Sequence, residues 1–500
     1  MATAAPGAPP AVVDKGLKKG AIGFISNLVI GVASVAPGYS LAASLGLVAA
    51  SVGFQSPAIM IVAFIPMLFI AYAYKYMNRA DPDCGTSFAW VTRALGPQLG
   101  WLNGWVIIVA DVIVMANLAQ IAGLYTFKLF DWNSAANSTA AVTAVGVLWI
   151  AIMTAIVTIG IELSARTQRY LLGAEVITLV IFAIVALVKV YADGPAGSVH
   201  PDISWFSPFA ISSTSALTAG VLTAVFIYWG WDSGVAVNEE TEDSASGPGR
   251  AAVLATLVLV GIYVVVSTAA QAYGGTKQLV DNSDDVLSVL GKQVFGSPLD
   301  KILIIAVLTS AAASTQTTIL PTARTTLSMA RWGAIPRRLG DVSPRFQTPH
   351  VATVLMGAVS IVWYVGLTIV SENILFDSIA ALGLMIAFYY GFTGIACVVY
   401  YRRRLLDSWR NFVFVGLMPA AGAAILAYVF VKSCIDLSKP ENSTAGDSWL
   451  GLGPPLVIGV SFLLIGVLLA LWGKLAGGTF FRRRLEVARI DPIEEKPAVA

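Results

Sequence analysis

The stretch Phe226-Ile227-Tyr228-Trp229-Gly230-Trp231-Asp232-Ser233-Gly234 decides the fold. It lies inside an apolar segment, about 214–238, that is long enough to cross a bilayer. Yet it carries two glycines, a carboxylate and a run of aromatics where a spanning helix would hold Leu and Val. Backbone that leaves the helix at membrane depth strands N–H and C=O groups, each costing several kcal/mol unless protein, ligand or water satisfies it. Such a break is tolerated where it lines a cavity. A second break interrupts the first apolar span at Ser34-Val35-Ala36-Pro37-Gly38-Tyr39. There Pro37 removes a donor and Gly38 relaxes the backbone. Two Gly/Pro-interrupted spans at matching places in two halves point to the binding site of a secondary transporter.

Working outward, the 500 residues are 57% hydrophobic and 12% charged, with a mean hydropathy of +0.77. Charged residues run near a quarter in soluble domains, so the composition describes an all-α polytopic membrane protein. The apolar blocks predict twelve transmembrane helices at roughly 22–51, 57–77, 97–127, 141–160, 169–192, 212–238, 251–273, 299–329, 351–370, 374–400, 411–432 and 454–475. With that count, 24 of the 31 Lys and Arg fall on one side, from Lys15, Lys18 and Lys19 to Arg482, Arg483 and Arg484. Lys128, Lys189, Lys277, Lys292, Lys301, Lys432 and Lys439 fall on the other. Basic loops stay inside, so both termini are expected in the cytoplasm and the protein in the cell membrane. The dispersed basic residues give no nucleic-acid footprint. Cys84, Cys397 and Cys434 form neither a disulfide framework nor a metal motif, and no cofactor motif is legible. No nucleophile–base pair lies at membrane depth, which argues against an enzyme.

Because the breaks fall in spans 1 and 6, the division is a five-helix repeat at 22–192 and a second at 212–400, with helices 11 and 12 at 411–475 appended. Five is odd, so the second repeat is inverted in the membrane. The tails are 1–21 and 476–500. Asn137-Ser138-Thr139 and Asn442-Ser443-Thr444 match the glycosylation pattern on the outer loops.

At these residues the chain resembles the amino acid–polyamine–organocation (APC) superfamily of permeases. Gly31 and Ala36-Pro37-Gly38 stand in the register of that family's Gly-rich break in span 1. Tyr228-Trp229-Gly230 followed by Asn238-Glu239-Glu240-Thr241 is similar to its aromatic-Gly break and the Glu-Glu-Thr beyond it. Gly85-Thr86-Ser87-Phe88-Ala89-Trp90-Val91, then Leu95-Gly96 and Gly100-Trp101-Leu102-Asn103-Gly104-Trp105, resembles the span 2–3 connection. The resemblance covers about 20–405 and implies alternating access, with spans 1, 2, 6 and 7 rocking against the rest.

The resumed half of a broken helix exposes free N–H groups and a positive dipole end, so Gly38 and Tyr39 can donate to an anion. The family uses this place for a substrate α-carboxylate. Pro37 withholds one donor, which shifts the balance toward a cationic substrate. Carbonyls from Phe226 to Trp229 suit an ammonium group, and Tyr228, Trp229 and Trp231 add cation–π surface. Asp111 in mid-span 3 costs at least about 2.5–3.5 kcal/mol to insert; with Asp232 it is a candidate to hold an amine, or else a packing hydrogen bond. The substrate-site candidates are therefore Ser34, Ala36, Pro37, Gly38, Tyr39, Asp111, Phe226, Tyr228, Trp229, Gly230, Trp231 and Asp232, and the ligand an amino acid or related amine. A channel is the alternative of another class.

For coupling, Glu175 stands seven residues after Gln168. Some proton-coupled members of the family have a Lys at that spacing. Glu175 can bind the driving proton, ligate sodium with Ser314 and Thr318, or pair with Arg166 or Arg169. Ser314 and Thr318 share one helix face and can equally serve as interhelical glue. The acidic run Glu239-Glu240-Thr241-Glu242-Asp243 is either a gate pairing with Arg324 or Arg331, or a solvated turn.

Overall fold

In a computed structural model the protein is a helical bundle, described for residues 14–283, 285–370, 372–443 and 446–482. Of the expected tails 1–21 and 476–500, residues 1–13 and 483–500 lie outside the described residues, as does part of the second glycosylation pattern. In chain order the helices are α1 Phe24–Val35, α2 Pro37–Val52, α3 Ser56–Ala80, α4 Ser87–Leu95, α5 Pro97–Leu129 and α6 Asn133–Ala136. They continue as α7 Thr139–Ile159, α8 Ile161–Ala192, α9 Thr214–Ile227, α10 Ser233–Ala236, α11 Gly247–Asp281 and α12 Val286–Phe295. The last are α13 Lys301–Arg331, α14 His350–Val370, α15 Glu372–Tyr401, α16 Trp409–Asn411, α17 Met418–Leu437 and α18 Pro454–Leu475. Strands are absent among the described residues; two isolated bridges are the only β pairing there.

Ten segments of the described chain are long and apolar enough to cross a membrane. The first, Phe24–Ala80, has 57 residues. At 1.5 Å per residue that is about 85 Å, far more than one ~30 Å hydrocarbon core. It therefore accommodates the first two expected spans, α1–α2 and α3. Helix α9 is too short alone, and it is continued across the Tyr228–Asp232 break by α10. The helices thus follow the expected apolar blocks. The largest boundary differences are α8, which begins at Ile161 and not 169, and α11, which runs on to Asp281.

Prolines start several helices where a missing N–H costs nothing: Pro37, Pro97 and Pro454 stand at their first turns. Helices α5 and α13 form the centre, with 78% of each apolar window buried. Broken pairs α1–α2 and α9–α10 pack between them and α3, α8 and α11. Helix α18 lies at the edge against α5 and α15, 17% of its window buried, with Leu468, Trp472 and Leu475 facing outward. An apolar outer face of this kind suits lipid.

Candidate functional site

The first break centres on Ala36, held left-handed at φ 51°, ψ 64°. That conformation costs a residue with a Cβ about 1–2 kcal/mol, and it turns the chain so that Pro37 opens α2. Pro37 occupies the first helical position, where no hydrogen bond is lost. The next two N–H groups are the ones the sequence offers to an anion. Both are occupied from within: Gly38 N donates to Glu175 Oε1 at 2.7 Å and Tyr39 N to Ser310 Oγ at 3.1 Å. Ser310 Oγ donates in turn to the same Glu175 oxygen at 2.8 Å. The protein's own carboxylate caps the half-helix. On the other side of the break, Ser34 O accepts from Ser314 Oγ at 2.8 Å, while on the α2 side Tyr39 OH reaches Asn117.

The second break runs from Tyr228 to Asp232, with Gly230 at φ 114°. Glycines bring the two breaks together. A Cβ on Gly230 would stand 2.8 Å from Ser34 O, one on Gly31 2.9 Å from Trp231 O, and one on Gly234 2.5 Å from Asn27 O. The contact is sealed by Ser34 Oγ and Ser233 Oγ, 2.7 Å apart. Two of the four carbonyls expected to receive an ammonium are engaged. Phe226 O accepts from Trp229 N at 3.1 Å and Ile227 O from Tyr263 OH at 2.6 Å. Phe226 and Tyr228 pack away from the cavity; Tyr228 OH donates to Met60 O at 2.8 Å. Trp231 stacks on Tyr390 with ring centroids 5.2 Å apart.

Between the breaks lies a small cavity lined by Ser34, Asp111, Trp229, Gly230, Asp232 and Thr318, with Tyr389 at one end. Its free volume of about 10 Å³ is room for about one water. Among the described residues its lining contains two carboxylates and no Lys, Arg or His. Asp232 is held by three phenols: Tyr390 OH donates to Oδ1 at 2.8 Å, Tyr74 OH and Tyr389 OH to Oδ2 at 3.2 and 3.3 Å. Asp111 accepts from Thr322. Trp229 Nε1 donates to Tyr389 OH at 2.5 Å, closing an aromatic wall across the cavity. Tyr74, Tyr389, Tyr390 and Thr322 escaped the reading of the sequence. The Tyr389-Tyr390 doublet in mid-span and Thr322, four residues after Thr318, were the signals available.

The structure gathers Ser34, Asp111, Trp229, Gly230 and Asp232 at one cavity. The Gly38 and Tyr39 N–H groups turn to Glu175 and Ser310 instead, while Ala36 and Pro37 form the turn that starts α2 and do not line the cavity. The coupling candidates divide likewise. Glu175 is fully buried and meets Ser310, whereas Ser314 binds the Ser34 carbonyl and Thr318 lines the cavity. Glu175 Oε2 is buried with no hydrogen-bond partner among the described residues. Arg166 is exposed and Arg169 reaches Ser26 Oγ at 2.8 Å, so neither guanidinium serves Glu175.

At the end of the bundle near residue 14, the acidic run is not a solvated turn at Glu240. Its carboxylate takes two hydrogen bonds from Arg324, at 2.6 and 2.9 Å, and both side chains are fully buried. A buried pair of this kind is retained only with good geometry, and bidentate Arg–carboxylate contact supplies it.

Compared with known proteins, residues 19–463 match the amino acid permease family. An uncharacterized transporter of Mycobacterium tuberculosis is 28% identical over 343 residues, 68% of this chain and 72% of that protein. The low-affinity putrescine importer PlaP of Escherichia coli is 20% identical over 431 residues, 86% of this chain and 91% of its own. The vacuolar cationic amino acid transporter 4 of Arabidopsis thaliana is 24% identical over 313 residues, 60% of this chain and 50% of its own.

Proposed function

The chain belongs to the amino acid permease family, of the APC superfamily, and is a membrane transporter; from that premise we propose that it imports an organic amine lacking a carboxylate, a short diamine above all. The observation that carries this reading is the small cavity with Asp111 and Asp232 in its wall and, among the described residues, no basic side chain beside them. Two buried carboxylates are stabilised by a ligand that brings its own positive charges. Trp229 and Tyr389 offer π faces to the same cation. The donors at the start of α2, which would receive a substrate carboxylate, are already bonded to Glu175 and Ser310. The names of two relatives, a putrescine importer and a cationic amino acid transporter, fit the same chemistry.

The scaffold of this reading is the pair of inverted repeats at 22–192 and 212–400, with 411–475 appended and both termini in the cytoplasm of a cell-membrane protein. Alternating access then opens the cavity to one side at a time, and Trp229 must part from Tyr389 to admit substrate. Sidedness is checked by single cysteines at Asp131 and Arg403. The first is expected to react with an impermeant reagent on intact cells, the second only after permeabilisation. The reverse pattern would overturn the orientation.

Glu175 is the proton site in this proposal. Protonated, it leaves α2 capped through a neutral carboxyl. Deprotonated, it is held by Gly38 N, Ser310 Oγ and the positive end of α2. Sodium beside Glu175 and Ser310 is the competing driver. Putrescine uptake into proteoliposomes under an imposed pH or sodium gradient separates them. Outside acid alone is expected to accelerate uptake, and Glu175→Gln to exchange putrescine without accumulating it. Accumulation by the Glu175→Gln variant, or drive by sodium alone, would remove Glu175 as the proton site. If leucine or serine is taken up and putrescine is not, the substrate reading falls.

A further inference from the structure

Away from the cavity, the densest buried charge lies where the first described residues cross the end of the bundle. Lys15 is only 3% exposed. Its Nζ stands 2.8 Å from Asp83 Oδ1, 2.6 Å from Glu239 Oε1 and 3.5 Å from Cys84 Sγ. Lysine is almost never fully buried unless it is paired. Burial by itself would lower the Lys15 pKa, but Asp83, Cys84 and Glu239 outweigh it and raise the ammonium above its ordinary value. Burial likewise pushes the Asp83 carboxyl up, and Lys15, helped by Ser328 and Gly85, brings it below the usual carboxylate range. Both groups therefore stay charged.

The residues around Lys15 are fastened as well. Leu17 packs with Cys84 and Leu327. Ala21 N and Ile22 N donate to Glu240 O at 2.8 and 3.2 Å, and Glu242 N returns a bond to Ile22 O at 3.0 Å. On the receiving side, Asp83 is tied to the end of α13 by Ser328 Oγ at 2.6 Å and Trp332 Nε1 at 3.2 Å. Glu239 belongs to the turn after α10, the far half of the broken sixth span.

We propose that Asp83, Cys84 and Glu239 form a lysine-binding site whose ligand is the chain's own Lys15, and that the docked segment 14–22 is a latch holding this end of the transport pathway shut. For the cavity to open toward this end, α10 and the turn behind it must move away from α13. That movement separates Glu239 from Asp83, and Lys15 is the group that bridges them. It also parts Glu240 from Arg324, so two buried ion pairs break together. The latch makes no contact with the cavity wall, and it stands whatever the substrate proves to be.

Cys84, fully buried beneath Lys15, reports the state of the latch. In the full-length chain carrying Cys434→Ser, maleimide alkylation of Cys84 is followed by peptide mapping, which separates it from buried Cys397. Lys15→Gln is expected to raise the Cys84 rate at least about tenfold, and Lys15→Arg to leave it near the wild-type rate. Removing the ammonium makes the thiolate less favourable, so only better access can accelerate the reaction. Because Lys15→Gln leaves two carboxylates facing each other, Lys15→Gln/Glu239→Gln is the companion variant. It removes the excess charge, while the amide oxygen placed at position 239 can still accept from Cys84 N. The same acceleration over Glu239→Gln alone is expected, since that single variant relieves the thiol of the same carboxylate while keeping Lys15, with wild-type melting behaviour. Wild-type protection of Cys84 in the folded double variant overturns the latch. So does a Lys15→Arg protein as reactive as Lys15→Gln, since the cation site would then do nothing that polar bulk does not.

Discussion

Replacing Asp232 by Asn is expected to lower putrescine affinity about 30-fold or more, at little cost to the fold. Asp232 is 8% exposed, and its carboxylate takes hydrogen bonds from Tyr74, Tyr389 and Tyr390. A buried charge so arranged is prepared for a cation. Removing one partner of a buried, hydrogen-bonded charge pair costs about 2–5 kcal/mol, and each 1.4 kcal/mol is about tenfold in affinity. Asparagine keeps the shape, and phenol hydroxyls can accept from its amide as well as donate to its oxygen. The variant's melting temperature should therefore stay close to wild type. Asp111→Asn tests the second charge. It should weaken putrescine and spare a monoamine of the same length, because one ammonium then suffices for Asp232. Scintillation proximity or calorimetric titration of both amines reads the result. Unchanged putrescine affinity in both variants would leave the two carboxylates as interhelical packing.

The second large effect is on stability, at Gly230. Gly230→Ala places a Cβ 2.8 Å from the Ser34 carbonyl on a backbone at φ 114°. A left-handed conformation for a residue with a side chain costs about 1–3 kcal/mol, and overpacking adds about 1–3 kcal/mol more. The two spans would have to separate, breaking the Ser34–Ser233 contact. Most of the protein is expected to be lost as aggregate in fluorescence-detected gel filtration, or to melt many degrees lower. Gly38→Ala provides the contrast. Its added Cβ meets Glu175 Oε1 at 3.4 Å and Ala306 O at 3.5 Å, ordinary contacts, on helical backbone. The variant should fold normally. A Gly230→Ala protein as stable as Gly38→Ala would mean that the breaks do not rely on their close approach.

The sequence was sufficient for the class of fold because that information is local. Apolar blocks of bilayer length, prolines at helix starts and glycines at Gly31, Gly230 and Gly234 act through the backbone on which they sit. The positions of both breaks were legible for the same reason. Helix Pro454–Leu475 coincides with its predicted span, since lipid imposes one length and one composition on an isolated edge helix.

The partners of the polar groups were decided only by packing. Gly38 and Tyr39 stand at a half-helix start, which the sequence shows, but the acceptors of their N–H groups, Glu175 and Ser310, come from 137 and 271 residues away. Nothing adjacent in the chain neutralises Glu240 or Lys15, so the sequence leaves Glu240 between a pairing with Arg324 or Arg331 and a solvated turn, and gives Lys15 no partner. Both are buried because Arg324, Asp83 and Glu239 arrive from other helices. Asp232 was legible as a costly charge in a membrane span, whereas the three tyrosines that accommodate it lie on α3 and α15. Hydropathy and helix breaks are properties of a segment, so the sequence alone determines them. A hydrogen-bonded charge is a property of several segments meeting, and only the tertiary structure decides which ones meet.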